Sequence, residues 1–544
     1  MFIEPVSGNK FYGREEVLAT LHKRVSAMKG GYRQNLALSG QMLTGKSSIL
    51  RHFLNNIDDL DVVPIYIDMV DENFDLFCEK FVATLLFQHL KQEGEEPHKT
   101  LQGLLEQVNN ILPSTSKQIE IIFRALKSKN RNEAYENLLD LTSTFKYETG
   151  KNCLVVLDEF HNLANFSLKK PFQIFGKYIM VQKNTMYVVS SSQKSLLKDI
   201  LSHKLSLLFG NFEIIDINGF DVYTAKAFIA DKTKEMPFDN SIVSYVIQLT
   251  QGNPFYLETI LNSCISALNA KAELAERKEV LLEILARLLY QSEGLLNQYF
   301  TNTINFFLEK KHRTSMLNIL ISLAKGNSTL KEITKDLGKA DKSLTSKLDA
   351  LKSMDLVFQS GIFYKLEDRF FEFWLKYVFD LKQGAIIDDM DIKYIEFKNK
   401  ISRDFDDYLI FHSKSYTDLV VELLASFNNE KVQINMSDKK MPFFSGIEFE
   451  KISSNATEIT CKLENKSWMI HLKTDSILDE EDVQKFSLIK EDRIGNKVVR
   501  KILIPLEGIE QNANLLSKEN NIWVWDIKSL NKMLRLYKKH ELVL

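Results

Sequence analysis

The stretch "LALSGQMLTGKSSIL", Leu36 to Leu50, narrows the possible fold more than any other part of the sequence. Leu36-Ala37-Leu38 reads as a short buried strand. Gly40 to Ser47 then fits G-x-x-x-x-G-K-[ST] without a mismatch. Gly40 and Gly45 let the backbone curl so that successive N–H groups point at phosphate oxygens. Lys46 has the reach for β- and γ-phosphates, and Ser47 offers its hydroxyl to Mg²⁺. Gln41, Thr44 and Ser48 complete the set expected around a bound nucleotide. A helix from Ser47 to about Asn55 aims its N-terminal dipole at the anion. The strand–loop–helix context separates this pattern from a plain glycine turn with an exposed lysine.

Further apolar runs supply the rest of a sheet: Val62 to Val70, Cys153 to Phe160, Thr185 to Gln193 and Phe212 to Ile217. "CLVVLDEF" ends its run on two acids. A carboxylate at the C-terminal end of a parallel strand beside the phosphate loop can hold Mg²⁺ through water, which suits Asp158. Glu159 can polarise the attacking water. "TMYVVSSSQ" ends in hydroxyls, of which Ser191 or Ser192 is placed to sense the γ-phosphate or simply to form a turn. Alternating strands and helices imply an α/β fold with a parallel sheet and the nucleotide at its C-terminal edge. Residues 71–150 carry long helical patterns within or inserted into that core.

Composition excludes other classes. The 544 residues suffice for several domains, and 44% apolar with 26% charged is a globular balance. Only 21 glycines and 9 prolines suggest helix-rich domains with short connections. No apolar run approaches the length of about 18 that a membrane span needs. Cys78, Cys153, Cys264 and Cys461 form no C-x-x-C pair, so reduced thiols and a cytoplasmic location are expected. A net charge of −2 gives no global pull toward nucleic acid, so such binding needs local patches.

"FYGREEVLATL" (Phe11 to Leu21), "VVLDEFHNL" and "TQGNPFYLETI" (Thr250 to Ile260) resemble the archaeal-type ATPases on the STAND and origin-recognition side of the AAA+-like P-loop proteins. "YKLEDRFFEFWLKYV", Tyr364 to Val378, extends the resemblance to about residue 380. The resemblance implies ATP as nucleotide, Gly13 and Arg14 near the adenine, and Pro254 at the start of a lid helix. With Lys46 and Glu159 as catalytic groups and Ser47 and Asp158 at the metal, it implies an ATPase with Mg²⁺. Relatives often carry "LYGR" before the fifth strand. Here "LLFGN" puts Asn211 in the arginine's place, so slow hydrolysis, or help from a partner's arginine or another residue, is expected.

From Arg313 the pattern changes to three amphipathic segments and two short strands around Ser360-Gly361, a winged helix-turn-helix pattern. Lys342, Ser343, Thr345, Ser346 and Lys347 are expected to face outward. Lys342, Ser346 and Lys347 would meet double-stranded DNA, although a winged helix also serves protein contacts. Beyond about residue 395, "FSGIEFEKI", "TEITCKLE", "SWMIHLKTD", "VVRKILIPL" and "NIWVWDI" suggest a mixed sheet. In relatives a domain similar to the PD-(D/E)xK nucleases can stand here. His471 occupies the position of an acid before Lys473, and Thr460 that of a metal aspartate, so no cleavage is expected. Glu448, Glu450, Glu464 and Asp475 remain acids that can migrate into the role. The tail "KSLNKMLRLYKKHELVL" reads as a basic amphipathic helix on a solvated surface.

The expected organisation is a P-loop ATPase core (1–220), a helical lid (221–305), a winged helix (306–390) and a degenerate nuclease-like α/β domain (391–544). Two function classes follow: an ATP-controlled DNA-binding switch, or a STAND-type signalling switch that binds a protein partner. Self-assembly fits either.

Overall fold

A computed structural model describes residues 4–69, 73–205, 210–235, 237–270, 277–308, 312–338, 343–383, 390–434, 437–489 and 497–544. Lys342 lies outside them. The chain divides into two compact units. The first comprises 1–220 with 253–255 and 353–355, and the second 221–252, 256–352 and 356–544.

The first unit is built on strands β1 (Asn35–Ser39), β2 (Val62–Asp68), β3 (Asn152–Asp158), β4 (Thr185–Ser191) and β5 (Phe212–Asp216). They form an all-parallel sheet in the order β2-β3-β4-β1-β5. Successive side chains on a strand point to opposite faces. Accordingly Val155, Leu157 and Val189 enter one core while Leu154, Val156 and Val188 enter the other. Helices cover both faces, which explains why β1 to β4 are mainly continuous apolar runs rather than alternating ones, while the edge strand β5 is partly exposed. The segment between β2 and β3 forms the helices Phe74–Gln92, Leu101–Val108, Pro113–Lys127 and Arg131–Thr149. They belong to the first of these cores through Phe81, Leu104, Ile122 and Phe145. The acids and hydroxyls at the ends of β3 and β4 therefore gather at the same edge as the loop after β1.

The second unit contains helices Asn240–Thr250, Arg277–Tyr290 and Leu295–Phe307, then Arg313–Ala324, Leu330–Asp336 and Leu344–Ser353. A hairpin of β6 (Val357–Ser360) and β7 (Phe363–Leu366) follows. Thr329 caps the helix Leu330–Asp336 in a reciprocal box with Glu332. Leu344, Leu348 and Leu351 are buried on one face of Leu344–Ser353, while Ser343, Thr345 and Ser346 are exposed and Lys347 is half-buried.

C-terminal to this lie the hairpin β8 (Glu430–Ile434) and β9 (Ser437–Met441), then β10 (Gly446–Lys451), β11 (Ala456–Lys462), β12 (Lys466–Lys473), β13 (Lys497–Pro505) and β14 (Trp523–Val524). The last five make a mixed sheet, antiparallel from β10 to β12 and parallel from β12 to β14. The C-terminal helix Ile527–Leu536 differs from its expected place on a solvated surface. Leu530, Met533 and Leu534 enter the core beneath the sheet. Its flanking cations are engaged too: Lys538 pairs with Glu332 and Lys539 with Glu422. The amphipathic period was the same for either placement; only the neighbours distinguish them.

The β6–β7 turn is held against β8. Ile362 N–H donates to the Lys431 carbonyl at 3.2 Å, and Ser360 Oγ donates to the Gln433 carbonyl at 3.1 Å. Gly361 has φ +60°, and a Cβ there would lie 1.8 Å from the Lys431 carbonyl oxygen. Gly361→Ala combines a left-handed alanine with a backbone clash, so it should cost at least about 2 kcal/mol. A lowered unfolding midpoint checks this; an unchanged one would mean the turn does not dock.

Candidate functional site at the sheet edge

The loop after β1 closes on itself. Lys46 is buried, and its Nζ donates to the carbonyls of Gly40 at 2.8 Å and Gln41 at 2.7 Å. Burial pushes its pKa down, opposed by the charges of Glu159 and Asp158. Thr44 Oγ1 donates to the Gln41 carbonyl at 2.9 Å, tying the loop across its width. Gly45 precedes the helix Lys46–Asn55 with φ 94°, a region hostile to a side chain. A Cβ on Gly40 would meet the Ile217 carbonyl oxygen at 2.3 Å. Ser47 Oγ has no hydrogen bond among the described residues. Ser48 Oγ instead accepts from Val6 N–H at 3.0 Å, which anchors the N-terminal segment.

Beside this loop, the Asp158 carboxylate is oriented by two hydroxyls. Tyr66 Oη donates at 2.7 Å, and Ser190 Oγ donates to the other oxygen. Neither Tyr66 nor Ser190 stood out in the sequence. Tyr66 is one aromatic residue in a strand run, and Ser190 is the first of three serines. A carboxylate with two donors keeps lone pairs for a water on a metal ion. Ser47 and Asp158 thus have the hard-oxygen chemistry that Mg²⁺ takes.

Glu159 has a left-handed backbone, φ 54° and ψ 45°. Its carboxylate accepts from Ser192 N–H at 2.8 Å and Ser192 Oγ at 2.9 Å. Burial raises its pKa; Lys46 pulls it down, Asp158 pushes it up, and the Ser192 bonds lower it. The net direction is up. His161 lies 3.3 Å from the same carboxylate, and burial brings its pKa to about 4, so it is neutral near pH 7. Ser191, expected to sense phosphate, is directed elsewhere. Its hydroxyl meets His161 Nδ1 at 2.9 Å and donates to the Gln193 carbonyl. Ser190 faces Asp158 and Ser192 faces Glu159.

Gly13 and Arg14 both have positive φ, 66° and 74°. Their turn sends the Arg14 guanidinium to the Thr44 carbonyl at 3.1 Å and the Asn218 carbonyl at 2.6 Å, with its face over Phe220. Arg14 therefore braces the phosphate loop to the segment after β5. Pro254 also lies here: its Cγ is 3.9 Å from where a Gly45 Cβ would stand.

Asn211 is not brought to this site. Its carbonyl accepts from Asn35 N–H at the opening of β1, whereas the phosphate loop follows the strand's other end. Five strand residues separate the two ends by roughly 16 Å. A residue at position 211 therefore stands at the end of β1 away from the Gly40–Ser47 loop.

In the C-terminal sheet, Lys473 is bound by Asp482 from the first turn of helix Glu480–Ser487. This is an acid the sequence had not singled out. His471 is buried, and neither ring nitrogen has a hydrogen-bond partner. Glu458 faces His471 across β11–β12, and Thr460 faces Met469. Glu448 pairs with Lys462. Among the described residues no three His, Cys, Asp or Glu side chains converge as metal ligands.

Residues 11–260 match a sequence family described as an ATPase domain predominantly from Archaea. A comparison with curated proteins finds no match. Solved structures that align with the chain include a Walker-type ATPase of Pyrococcus abyssi, at 18% identity and TM-score 0.45. It covers 69% of this chain and 99% of its own. Another is the Aeropyrum pernix ORC2 protein in ADPNP-ADP complexes, at 11% identity and TM-score 0.44, covering 70% and 98%. Residues 11–260, somewhat less than half of the chain, are thus similar to an ATPase domain. Among the described residues no helix is long and apolar enough to cross a membrane.

Proposed function

We propose that the protein is an Mg²⁺-dependent ATPase whose nucleotide state controls binding to double-stranded DNA, with four parts at 1–220, 221–305, 306–390 and 391–544. Lys46 and the loop N–H groups bind the phosphates. Ser47 and Asp158 hold the metal ion, which would neutralise developing charge on the phosphoryl oxygens. Glu159 orients and deprotonates water once it leaves Ser192. The single observation supporting this chemistry is the meeting of Lys46, Asp158 and Glu159 at one sheet edge. With position 211 remote, an arginine for the transition state would be supplied by a second chain or by another residue of this one, and we take the second chain as its source. Turnover per chain should then rise with protein concentration.

The DNA part of the proposal is supported by the exposed hydroxyl face of helix Leu344–Ser353, with Ser346 and Lys347 on it. Phosphate contacts release counterions, so affinity for a duplex should fall steeply with salt. Binding isotherms at rising salt, with and without ATP, test it; no binding at low salt would refute it. A second reading, a signalling switch acting on a protein partner, is favoured by the docked β6–β7 turn. A wing committed to Lys431 and Gln433 is not presented to a groove.

We also expect no DNA cleavage. Lys473 is neutralised by Asp482 rather than placed beside a metal-bound water, and His471 brings no negative charge to a hard cation. Incubating the full chain with linear and supercoiled DNA in Mg²⁺ or Mn²⁺ checks this. Cleavage that vanishes in Lys473→Ala, with ATP binding intact, would reveal an active site there.

A further inference from the structure

We propose that one end of the C-terminal sheet binds the phosphate backbone of a nucleic acid, through Arg500 and Lys439 stacked on Trp523 and through Lys466 and Lys497 beside them. The proposal rests on the nucleic-acid reading above, and it locates a contact that this reading does not.

The Arg500 guanidinium carbon lies 4.1 Å from the centre of the Trp523 ring, and Lys439 Nζ lies 4.6 Å from it. Trp523 is itself fixed by the edge of Trp468, with ring centres 5.6 Å apart. Two cations thus share one indole, and neither has a carboxylate within ion-pair distance among the described residues. Burial lowers the Arg500 pKa with no acid to offset it. The neighbouring Lys501 shows the contrast. Its Nζ is spent on the carbonyls of Phe486, Ser487 and Ile489, so it is a structural cation.

At the same end of the sheet, Lys466 stands in register with Lys497 across β12–β13, and both are exposed. Like charges on neighbouring strands disfavour the pairing. A polyanion would remove that cost. The acids next to Lys439 and Lys466 in sequence make no ion pair with them among the described residues. Asp438 alternates to the other side of β9 from Lys439, and Glu464 sits exposed in the turn before β12.

Stacking orders a guanidinium while leaving its edge N–H groups available, which suits bidentate phosphate contact. The ring beneath Arg500 and Lys439 acts as a platform for cations. Four cations on β9, β12 and β13 extend over more than one phosphate group, as a repeating polyanion requires. Contacts of this kind carry no base sequence.

The test is fluorescence anisotropy of a labelled duplex and of one of its strands, over a salt series, with the full chain. Arg500→Gln/Lys439→Gln should weaken binding about tenfold and flatten the salt slope by about two, as each lost phosphate contact removes roughly 0.9. Lys466→Gln/Lys497→Gln, at exposed positions with little folding risk, should do the same. Arg500→Lys/Lys439→Arg should restore binding, and affinity for an ATP analogue should stay unchanged throughout. Full binding and slope in both glutamine pairs would overturn this patch and leave the nucleic-acid reading standing. No binding by the unaltered protein at low salt would overturn both. Competition by millimolar inorganic phosphate at constant ionic strength would show a single-phosphate site and overturn the polymeric occupant.

Discussion

Lys46→Ala is expected to weaken MgATP binding by at least about a hundredfold. Lys46 Nζ is buried beneath the loop and bonded to the Gly40 and Gln41 carbonyls, so it is already positioned before nucleotide arrives. On binding it exchanges those acceptors for phosphate oxygens that carry full charge. A charge-assisted hydrogen bond contributes about 1.5–3 kcal/mol, and loss of two such bonds corresponds to a hundredfold or more in affinity. The substitution also leaves Asp158 and Glu159 without their nearby cation, which adds repulsion against the phosphates. Titration with a fluorescent ATP analogue reads the effect. Affinity within a few fold of the unaltered protein would refute the site.

The second large effect should be kinetic. Glu159→Gln is expected to cut turnover by about a hundredfold or more while ATP binding persists, since general-base catalysis contributes on the order of 10²–10⁴. Glutamine keeps the size and can still accept from Ser192, so the fold is spared. A pH profile separates this role from a structural one. Burial first, and Asp158 next among the raising influences, lift the Glu159 pKa above the ordinary glutamate range. A protonated carboxyl cannot take a proton from water. The acid limb of kcat/KM should therefore lie above the usual carboxylate range, with activity lost as pH falls through it. That limb should be missing in the glutamine variant. An unchanged limb would assign it to another group.

The parallel sheet was legible because its strands are buried on both faces. Such strands must be runs of apolar residues, and β1 to β4 appear in the sequence as such runs, whereas the edge strand β5 is only partly buried. The phosphate loop was legible for a different reason: backbone that wraps an anion tolerates few residue types, and the closeness of Gly40 to Ile217 and the φ of Gly45 show why. Asp158 and Glu159 were marked by position, as acids closing an apolar strand.

What tertiary structure decided lies between segments distant in sequence. Ser190 and Ser191 are adjacent, yet strand alternation sends one hydroxyl to Asp158 and the other to His161. Arg14 reaches across the loop to Asn218, a contact spanning some two hundred residues that no local pattern encodes. Asn211 precedes β5 in sequence, but parallel pairing with β1 fixes it at the end remote from the phosphates. The C-terminal helix has the period of a surface helix and the burial of a core one. Period reports which face is apolar, and only packing reports what that face meets. The loop's residue pattern and the succession of strands along the chain were readable without the fold, because both are local constraints on backbone and burial. Which hydroxyl serves which acid, and which cations remain without one, was decided by the fold, because those pairings depend on distances that only the assembled sheets set.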